Sequence, residues 1–391
     1  MRIVPAGVSR PLLLAVLPPL LATVVGVVAL WPGGDLSRPD YLGPPVQLVD
    51  GTVAKDVVVP CQGQAPGLAA TCRVATVRLT SGPDRDHDTA LELPEGPGQP
   101  RLRVGDRVVL GRTSDPEGVG YYFSDFQRRT SLIWLGLLFA VAVVAVGRLR
   151  GLAALVGLGL SFALLVSFVL PSILQGHDAL LVSIVGSSAI MFLLMYMAHG
   201  VNDKTTVALL GTLASLVLTG VLAAIFVEAT AIAHVTTEET AFLQVSASQV
   251  SLQGLLLGSI IIGSLGVLND VTVTQASAVW ALRSANPAWT AVDLYRAAMR
   301  IGRDHIASTV DTLVLAYAGA SLPLLLLFTL ASRPLAEVLT GGLVAEEVVR
   351  TLVGSIGLVA SVPLTTGLAA VIAARHPVPT PPTGPVDPHG H

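Results

Sequence analysis

Charged side chains are scarce in this chain. Of its 391 residues, 13% are Asp, Glu, Lys or Arg, whereas 52% are hydrophobic. Soluble globular domains carry roughly a quarter charged residues, so this composition suits a water-soluble protein poorly. The net charge of −3 leaves no basic stripe that would neutralise a phosphate backbone, which excludes nucleic acid as a partner. The expected environment is the lipid bilayer.

Cysteine is almost absent, since Cys61 and Cys72 are the only two. They are too few for a disulfide-built scaffold and lack the Cys/His spacing of a structural zinc site. The sequence also lacks a Walker motif, a Gly-x-Ser-x-Gly elbow, a His-Glu-x-x-His helix and a dinucleotide fingerprint. We therefore expect no ATP-driven work, no enzyme and no cofactor, although a bound proton or cation is compatible with the sequence.

Long apolar runs predict membrane spans, because a helix needs about 20 apolar residues to cross a bilayer. The first run, residues 11–31, follows Arg2 and Arg10 and is long for a secretory signal peptide. We predict an uncleaved signal-anchor helix within residues 1–34, with a cleaved signal peptide as the alternative. Seven further runs complete a membrane domain over residues 130–375. They lie at about 131–147, 152–174, 179–199, 205–227, 252–275, 309–331 and 351–373.

Residues 35–129 have a different composition, rich in Gly, Pro and charge. Short apolar runs there show partial alternation and end at turn residues, which is typical of strands. The clearest segments are 46–59, 72–79, 89–93 and 102–112. About five strands fit a small barrel-like domain, and Gly105-Asp106 is a weak hairpin signal. The predicted fold is therefore mainly α, a polytopic transmembrane helical bundle of about eight spans with a small extracytoplasmic β-rich domain after the first span.

Basic residues indicate the orientation, because short cytoplasmic loops accumulate Lys and Arg. With the N-terminus inside, the cytoplasmic side receives Arg2, Arg10, Arg148, Arg150, Lys204, Arg283, Arg296, Arg300, Arg303 and Arg375. Outer loops near residues 171–178 and 228–251 contain neither Lys nor Arg. Both termini are then cytoplasmic, including a disordered Pro-rich tail at 376–391. Cys61 and Cys72 lie outside, where a disulfide between them is predicted; the alternative is two small buried hydrophobes.

Ionisable residues inside apolar runs are candidates for function, because charge at membrane depth is expensive. The first cluster, Asn202, Asp203 and Lys204, lies between the fourth and fifth spans. It is either an inner gate or part of an ion path, or else a polar loop that follows the positive-inside rule.

The second cluster is Asn269 and Asp270, with Thr274 one turn further. If the sixth span continues toward Leu282, Asp270 lies well inside the bilayer and must face protein or water. If the span ends near Leu268, the pair only marks the interface.

The third cluster runs from residue 296 to 317. Positions three or four apart share a helix face, and one such face comprises Arg300, Asp304, Ser308, Asp311 and Leu315. Arg303 and His305 are expected among cytoplasmic head groups. Asp311 lies deeper, without a basic neighbour on its own helix, so it is either neutral or paired with another helix. Such a carboxylate suits proton or cation exchange; the alternative is a packing hydrogen bond.

Several motifs together resemble the YibE/F-like family of bacterial membrane proteins. They are Gly200–Thr205, Leu265–Thr272, Ile301–Ile306 and Leu313–Gly319. The resemblance covers the chain from about residue 120 onward and implies a bacterial plasma-membrane location. It draws attention to Asn202, Asp270, Arg303 and Asp304 but implies no substrate. Where the family often carries Asn before the Leu-Ala-Tyr run, this chain has Asp311.

The leading hypothesis for function is a secondary transporter or permease-like protein in which Asp270, Asp304 and Asp311 bind a proton or a metal cation. The alternative is a membrane scaffold or sensor whose outer β domain binds an envelope partner. An intramembrane aspartyl hydrolase using Asp270 and Asp311 is disfavoured, because no Gly-x-Gly-Asp pattern precedes Asp270. Expected partners are the lipid bilayer, an ion or small solute, and a second copy of the chain or a second membrane subunit.

Overall fold

The chain forms two compact units in a computed structural model, residues 37–143 and residues 1–36 together with 144–391. We call them the β unit and the helical unit. The structure describes residues 8–34, 46–60, 71–96, 98–115, 118–234, 238–330 and 334–375. The predicted Pro-rich tail and Cys61 lie outside these ranges, so the tail's disorder stays a prediction.

The β unit contains one antiparallel sheet. Its strands are β1 (Gln47–Pro60), β2 (Thr71–Leu79), β3 (Asp88–Pro94), β4 (Arg107–Asp115) and β5 (Gly118–Phe126). The strand order is β3-β2-β1-β4-β5, and β3 approaches β5 so that the sheet is nearly closed. Alternate residues of β1 and β2, including Val49, Val53, Ala75 and Val77, fill a core that is at most 2% exposed, as a strand period of two requires. A small barrel-like sheet is therefore present as predicted.

Two details of the sheet differ from the sequence prediction. Residues 102–106 precede β4 instead of belonging to it: Gly105 has a φ of +93°, and the Asp106 N–H donates to the Arg103 carbonyl at 3.0 Å. This turn does not join paired strands, because β3 pairs with β2 and β4 pairs with β1. Strand β5 was not predicted. Cys72 is buried on β2 and disulfide-bonded, but its pairing with Cys61 stays a prediction.

Asp84 connects the loop after β2 to the far side of the sheet. Its carboxylate accepts hydrogen bonds from the Tyr121 hydroxyl on β5 and, at 2.9 Å, from the Arg112 guanidinium on β4. These donors favour the charged form and lower the pKa of the Asp84 carboxyl, Tyr121 contributing most. Because the pKa of Asp84 is lower in the folded than in the unfolded state, the ionised carboxylate stabilises the fold at pH values above the unfolded-state pKa. This stabilisation is lost as the pH falls through the folded-state pKa.

We therefore expect Asp84→Asn to lower the hydrogen-exchange protection of β4 and β5 at neutral pH. The variant should then lose less protection than the native chain on acidification below about pH 4. Comparison of the two chains at each pH removes the intrinsic pH dependence of exchange. Asp86→Asn is the control, because the Asp86 side chain is 81% exposed. Equal protection of native and Asp84→Asn chains at neutral pH would contradict the assignment.

The helices run along most of the remaining chain. The described residues contain α1 (Arg10–Ala29), α2 (Arg129–Leu164), α3 (Leu170–Leu174), α4 (Ala179–His199), α5 (Asp203–Thr230), α6 (Glu238–Ser246), α7 (Leu252–Ala285), α8 (Ala291–Ala320), α9 (Leu322–Leu330), α10 (Leu335–Thr340) and α11 (Gly342–Arg375). A π-helical turn, Leu165–Val169, joins α2 to α3.

Six helical segments are long and apolar enough to cross a membrane: α1, α4, α5, α7, α11 and the run Arg129–Leu174. The pair α8–α9, bent by 61°, raises the number to seven. Arg148 interrupts the long run with φ 53° and ψ −135°. These apolar helices fit a membrane-embedded protein, while the span count of eight stays a prediction. Helix α8 begins at Ala291 rather than near residue 309, because its first turns are amphipathic and escape a search for apolar runs.

Contacts define two ends of the helical unit. At one end, the Ser9 N–H donates to the Asp203 carboxylate at 2.6 Å, and the Arg283 guanidinium donates to the Ala374 carbonyl at 3.2 Å. Leu12, Val207, Leu294 and Ala370 share one buried cluster, so this end gathers the starts of α1, α5 and α8 and the ends of α7 and α11. We call it the basic end, for it carries Arg10, Lys204, Arg283, Arg296 and Arg375.

The opposite, acidic end is equally well defined. The Ser172 hydroxyl donates to the Leu30 carbonyl at 2.8 Å, and the Gln249 amide donates to the Leu174 carbonyl at 2.8 Å. Arg350 pairs there with both Glu346 and Glu347, at 2.6 and 3.1 Å. The end of α1 thus lies with the end of α3.

Small residues bring the central helices α5, α7 and α11 together. A Cβ at Gly211 would overlap Thr365 of α11, and one at Gly357 would overlap Thr219 of α5. A Cβ at Gly258 would similarly overlap Ser183 of α4. Such residues let helix backbones approach in a bilayer, where apolar side chains gain little by meeting each other. Helix α7 is continuous through its glycines.

Candidate functional site

Helices α7 and α8 form an antiparallel hairpin through a short connection. A capping box fixes the start of α8: the Asp293 N–H donates to the Thr290 hydroxyl, and the Thr290 N–H donates to the Asp293 carboxylate. Asp270 lies about as far before the end of α7 as His305 lies after the start of α8. The two side chains therefore meet across the hairpin.

The Asp270 and His305 side chains face each other with 3.7 Å between Oδ2 and Nε2. This separation is longer than a hydrogen bond, and the buried Nε2 atom has no hydrogen-bond partner among the described residues. The Asp270 side chain is 70% exposed, against 27% for His305. The pair is thus open on the Asp270 side. The sequence analysis did not predict this contact.

Contacts between α5 and α7 give the depth of this pair. The Thr212 and Thr272 hydroxyls are 2.6 Å apart, so these residues lie at one level. At 1.5 Å per residue, Asp270 is then roughly 15 Å from the basic end, where α5 begins. A hydrocarbon core is about 30 Å thick. Asp270 and His305 therefore lie beside the apolar length of α5, away from the ends of the helical unit.

The polar face of α8 begins beside the pair. We give this name to Arg300, Arg303, Asp304, Ser308 and Asp311, all of which are exposed. The opposite face of α8 contacts the bundle, where a Cβ at Gly302 would press on Gln275 and Val362. Gly302 is therefore level with Gln275, and the residues from Arg303 onward lie progressively deeper.

Ion pairs do not neutralise this face within the part of the chain that the structure describes. Arg300 and Asp304, four residues apart, form no ion pair within 4.0 Å, and neither do Arg303 and Asp311. Asp270 and Asp311 share no hydrogen bond, although a catalytic carboxylate pair requires one. A cavity of about 460 Å³ beside the face is lined by Tyr295, Arg296, Met299, Arg300 and Arg303.

The cluster at Asn202, Asp203 and Lys204 lies at the basic end, away from this pair. Asn202 caps α5, since its Oδ1 accepts from the Thr205 N–H at 3.0 Å. Asp203 is 6% exposed and accepts from Ser9, at the start of α1. Its charge therefore faces the N-terminal ends of two helices, where a carboxylate is stabilised. These contacts hold the helices together.

The remaining predicted residues flank the hairpin. The Oδ1 atom of Asn269 is buried without a hydrogen-bond partner in the described chain, and Thr274 is half-buried. Among the described residues, no group of three or more His, Cys, Asp or Glu side chains could hold a metal ion.

The sequence analysis missed a set of buried polar side chains between α5, α7 and α11. The Thr366 hydroxyl donates to Gln275 at 3.0 Å, while the Gln275 Nε2 and Thr365 Oγ1 atoms are buried without a partner among the described residues. Thr212 and Thr272 continue the set toward α5. The i, i+3 spacing of Thr272 and Gln275 was the available signal, because both lie on one face of α7.

Comparison with known proteins identifies a family. Residues 135–375, which contain the α7–α8 hairpin and the α5 start, match the sequence profile of a family described as YibE/F-like protein. No curated protein and no solved structure matches the chain. The profile covers more than half of the chain. The chain therefore belongs to the YibE/F-like family.

Proposed function

We propose that this chain is a secondary transporter of the bacterial plasma membrane that exchanges a proton at Asp270 and His305. The observation that carries the proposal is the open Asp270–His305 pair, 3.7 Å apart and roughly 15 Å from the basic end. Histidine readily gains and loses a proton between about pH 5 and 8. Uptake or release of a proton by the pair changes its net charge and hence the cost of exposing it to lipid.

The polar face of α8 supports the same proposal. A Lys, Arg or Asp at the centre of a spanning helix costs about 2.5–3.5 kcal/mol on insertion scales, and Arg303, Asp304 and Asp311 all lie beyond the level of Gln275. Groups at this depth are tolerated where they face water or protein. Water at the exposed side of Asp270 would give protons access to the pair.

The proposed topology has eight spans with both termini in the cytoplasm. The contact of Ser9 with Asp203 supports it, since an even number of crossings must then separate the starts of α1 and α5. Two crossings of the run Arg129–Leu174, with a turn at Arg148, would satisfy this parity. The basic end would face the cytoplasm. The β unit would follow the first span on the outer side.

Reconstitution into vesicles containing a pH-sensitive dye tests the proposal. Gradients of K⁺, Mg²⁺, Mn²⁺ or Zn²⁺ are imposed one at a time, and a membrane potential is applied in a further arm. We expect the internal pH to change faster than in protein-free vesicles in at least one arm. Identical traces with and without protein in every arm would contradict proton exchange by this chain.

A further inference from the structure

The polar face of α8 is an uncovered surface at membrane depth. Its members Arg300, Arg303, Asp304, Ser308 and Asp311 are exposed, and no other described element packs over them. Facing lipid, a charged member would cost up to about 2.5–3.5 kcal/mol, the value at the bilayer centre. Such residues in membrane proteins turn toward protein or water and find opposite charges. Some partner must therefore cover this face in the membrane.

We propose that the partner is a second copy of this chain, with α8 against α8 about a twofold axis along the membrane normal. Copies inserted in the same orientation place each residue of α8 at the same depth as its counterpart. Arg303 and Asp304 are consecutive, so they differ by only about 1.5 Å in depth. Arg303 of each copy then meets Asp304 of the other, which gives two reciprocal ion pairs across an isologous interface.

The absence of ion pairs to Arg303 and Asp304 within the described part of one chain is consistent with this assembly. Arg303 and Asp304 form no ion pair inside the described part of the chain, so neither must break a contact to reach the second copy. Arg300 lies one turn from Asp304 and supplies a further basic group on the same face.

The face continues as a surface on which two helices can approach closely. Ala307 and Ala318 are exposed on the same side of α8, three turns apart, and small residues permit close helix contact in bilayers. Leu315 is 71% exposed between them. The interface thus combines charged residues nearer the basic end with a small and apolar surface beyond Asp311. The assembly does not depend on the proposed transport, because it follows from the cost of exposed charge alone.

Cysteine cross-linking in native membranes tests the assembly directly. Ser308→Cys is expected to give a cross-linked dimer on mild oxidation. Val217→Cys is the matched control, because Val217 is 63% exposed on α5 and lies, like Ser308, roughly 20–25 Å along its helix from the basic end. The unmodified chain controls for its own two cysteines. No dimer for Ser308→Cys, or equal dimer for both variants, would overturn the inference.

Charge exchange tests the proposed pairing. Arg303→Asp alone and Asp304→Arg alone place like charges opposite each other, and we expect each to weaken dimerisation by roughly tenfold. The double variant Arg303→Asp/Asp304→Arg restores opposite charges and should recover the native dimer. Recovery also shows that the single variants failed by repulsion and not by misfolding. A native-like dimer in either single variant would refute the pairing, and a folded but monomeric double variant would do the same.

Discussion

Substitution of Gly211 by alanine is expected to destabilise the helical unit by about 1–3 kcal/mol, the usual cost of overpacking a well-packed core. A Cβ at this position would overlap the Thr365 hydroxyl and come within 3.0 Å of the Thr365 Cβ. Rotation of the threonine relieves only the first of these clashes, so α5 and α11 must separate. Gly211→Leu should prevent folding. Unfolding by sodium dodecyl sulfate in mixed micelles measures the free energy.

Gly266 provides the matched control for Gly211. It also lies inside a spanning helix, but a Cβ there meets no atom within 4 Å. Alanine has a helix propensity about 1 kcal/mol better than glycine, so Gly266→Ala should be neutral or stabilising. Thr365→Ala should partly rescue Gly211→Ala, because it removes the overlapping hydroxyl and leaves the tight Cβ contact. Equal stability of the two glycine variants would refute the close approach of α5 and α11.

Asp270→Asn is expected to reduce proton flux to that of protein-free vesicles. The carboxamide has nearly the same shape as the carboxylic acid but does not take up or release a proton in the relevant pH range. His305→Gln should also lower the flux, because glutamine replaces the group that faces Asp270 at 3.7 Å. The dye-loaded vesicles described above measure both variants.

Asp178→Asn serves as the control for Asp270→Asn. Asp178 is exposed and caps α4 by accepting from the Leu181 N–H at 2.8 Å, and asparagine is an equally good cap. Its flux should match that of the native protein. Undiminished flux in Asp270→Asn, with native flux above background, would place the exchange at another group. Loss of flux in both variants would indicate a general loss of structure.

Long apolar runs made most of the helices predictable, whereas irregular and amphipathic segments were harder. The bounds of α4, Ala179–His199, agree with the predicted run because polar residues lie at both ends of the run. The apolar run predicted at about 309–331 misses the first half of α8, because the polar face lowers the mean hydropathy of every window that covers it. Only the spacing of Arg300, Asp304 and Ser308 indicated a helix there. The break at Arg148 lies in a helical run with no surrounding polar loop, so a search by composition would not detect it.

The candidate site was predictable only where it depends on a single helix. The 3.6-residue period places Asp304, Ser308 and Asp311 on one face, and the structure leaves that side of α8 exposed. The approach of His305 to Asp270 depends on how two helices pair, and the sequence analysis treated each helix separately. The buried set around Gln275 and Thr365 requires three helices at once.

The contacts of helix α1 have a consequence for the maturation of the protein. A secretory leader is excised after translocation, and the mature polypeptide folds without it. Here Leu12 and Val16 are 2% and 5% exposed within the bundle, and Ser9 contacts the buried Asp203. Excision would uncover apolar side chains and deprive an interior carboxylate of a donor, at a cost of about 1–3 kcal/mol for the donor alone. Intact-mass measurement of the purified protein is therefore expected to find this helix still attached.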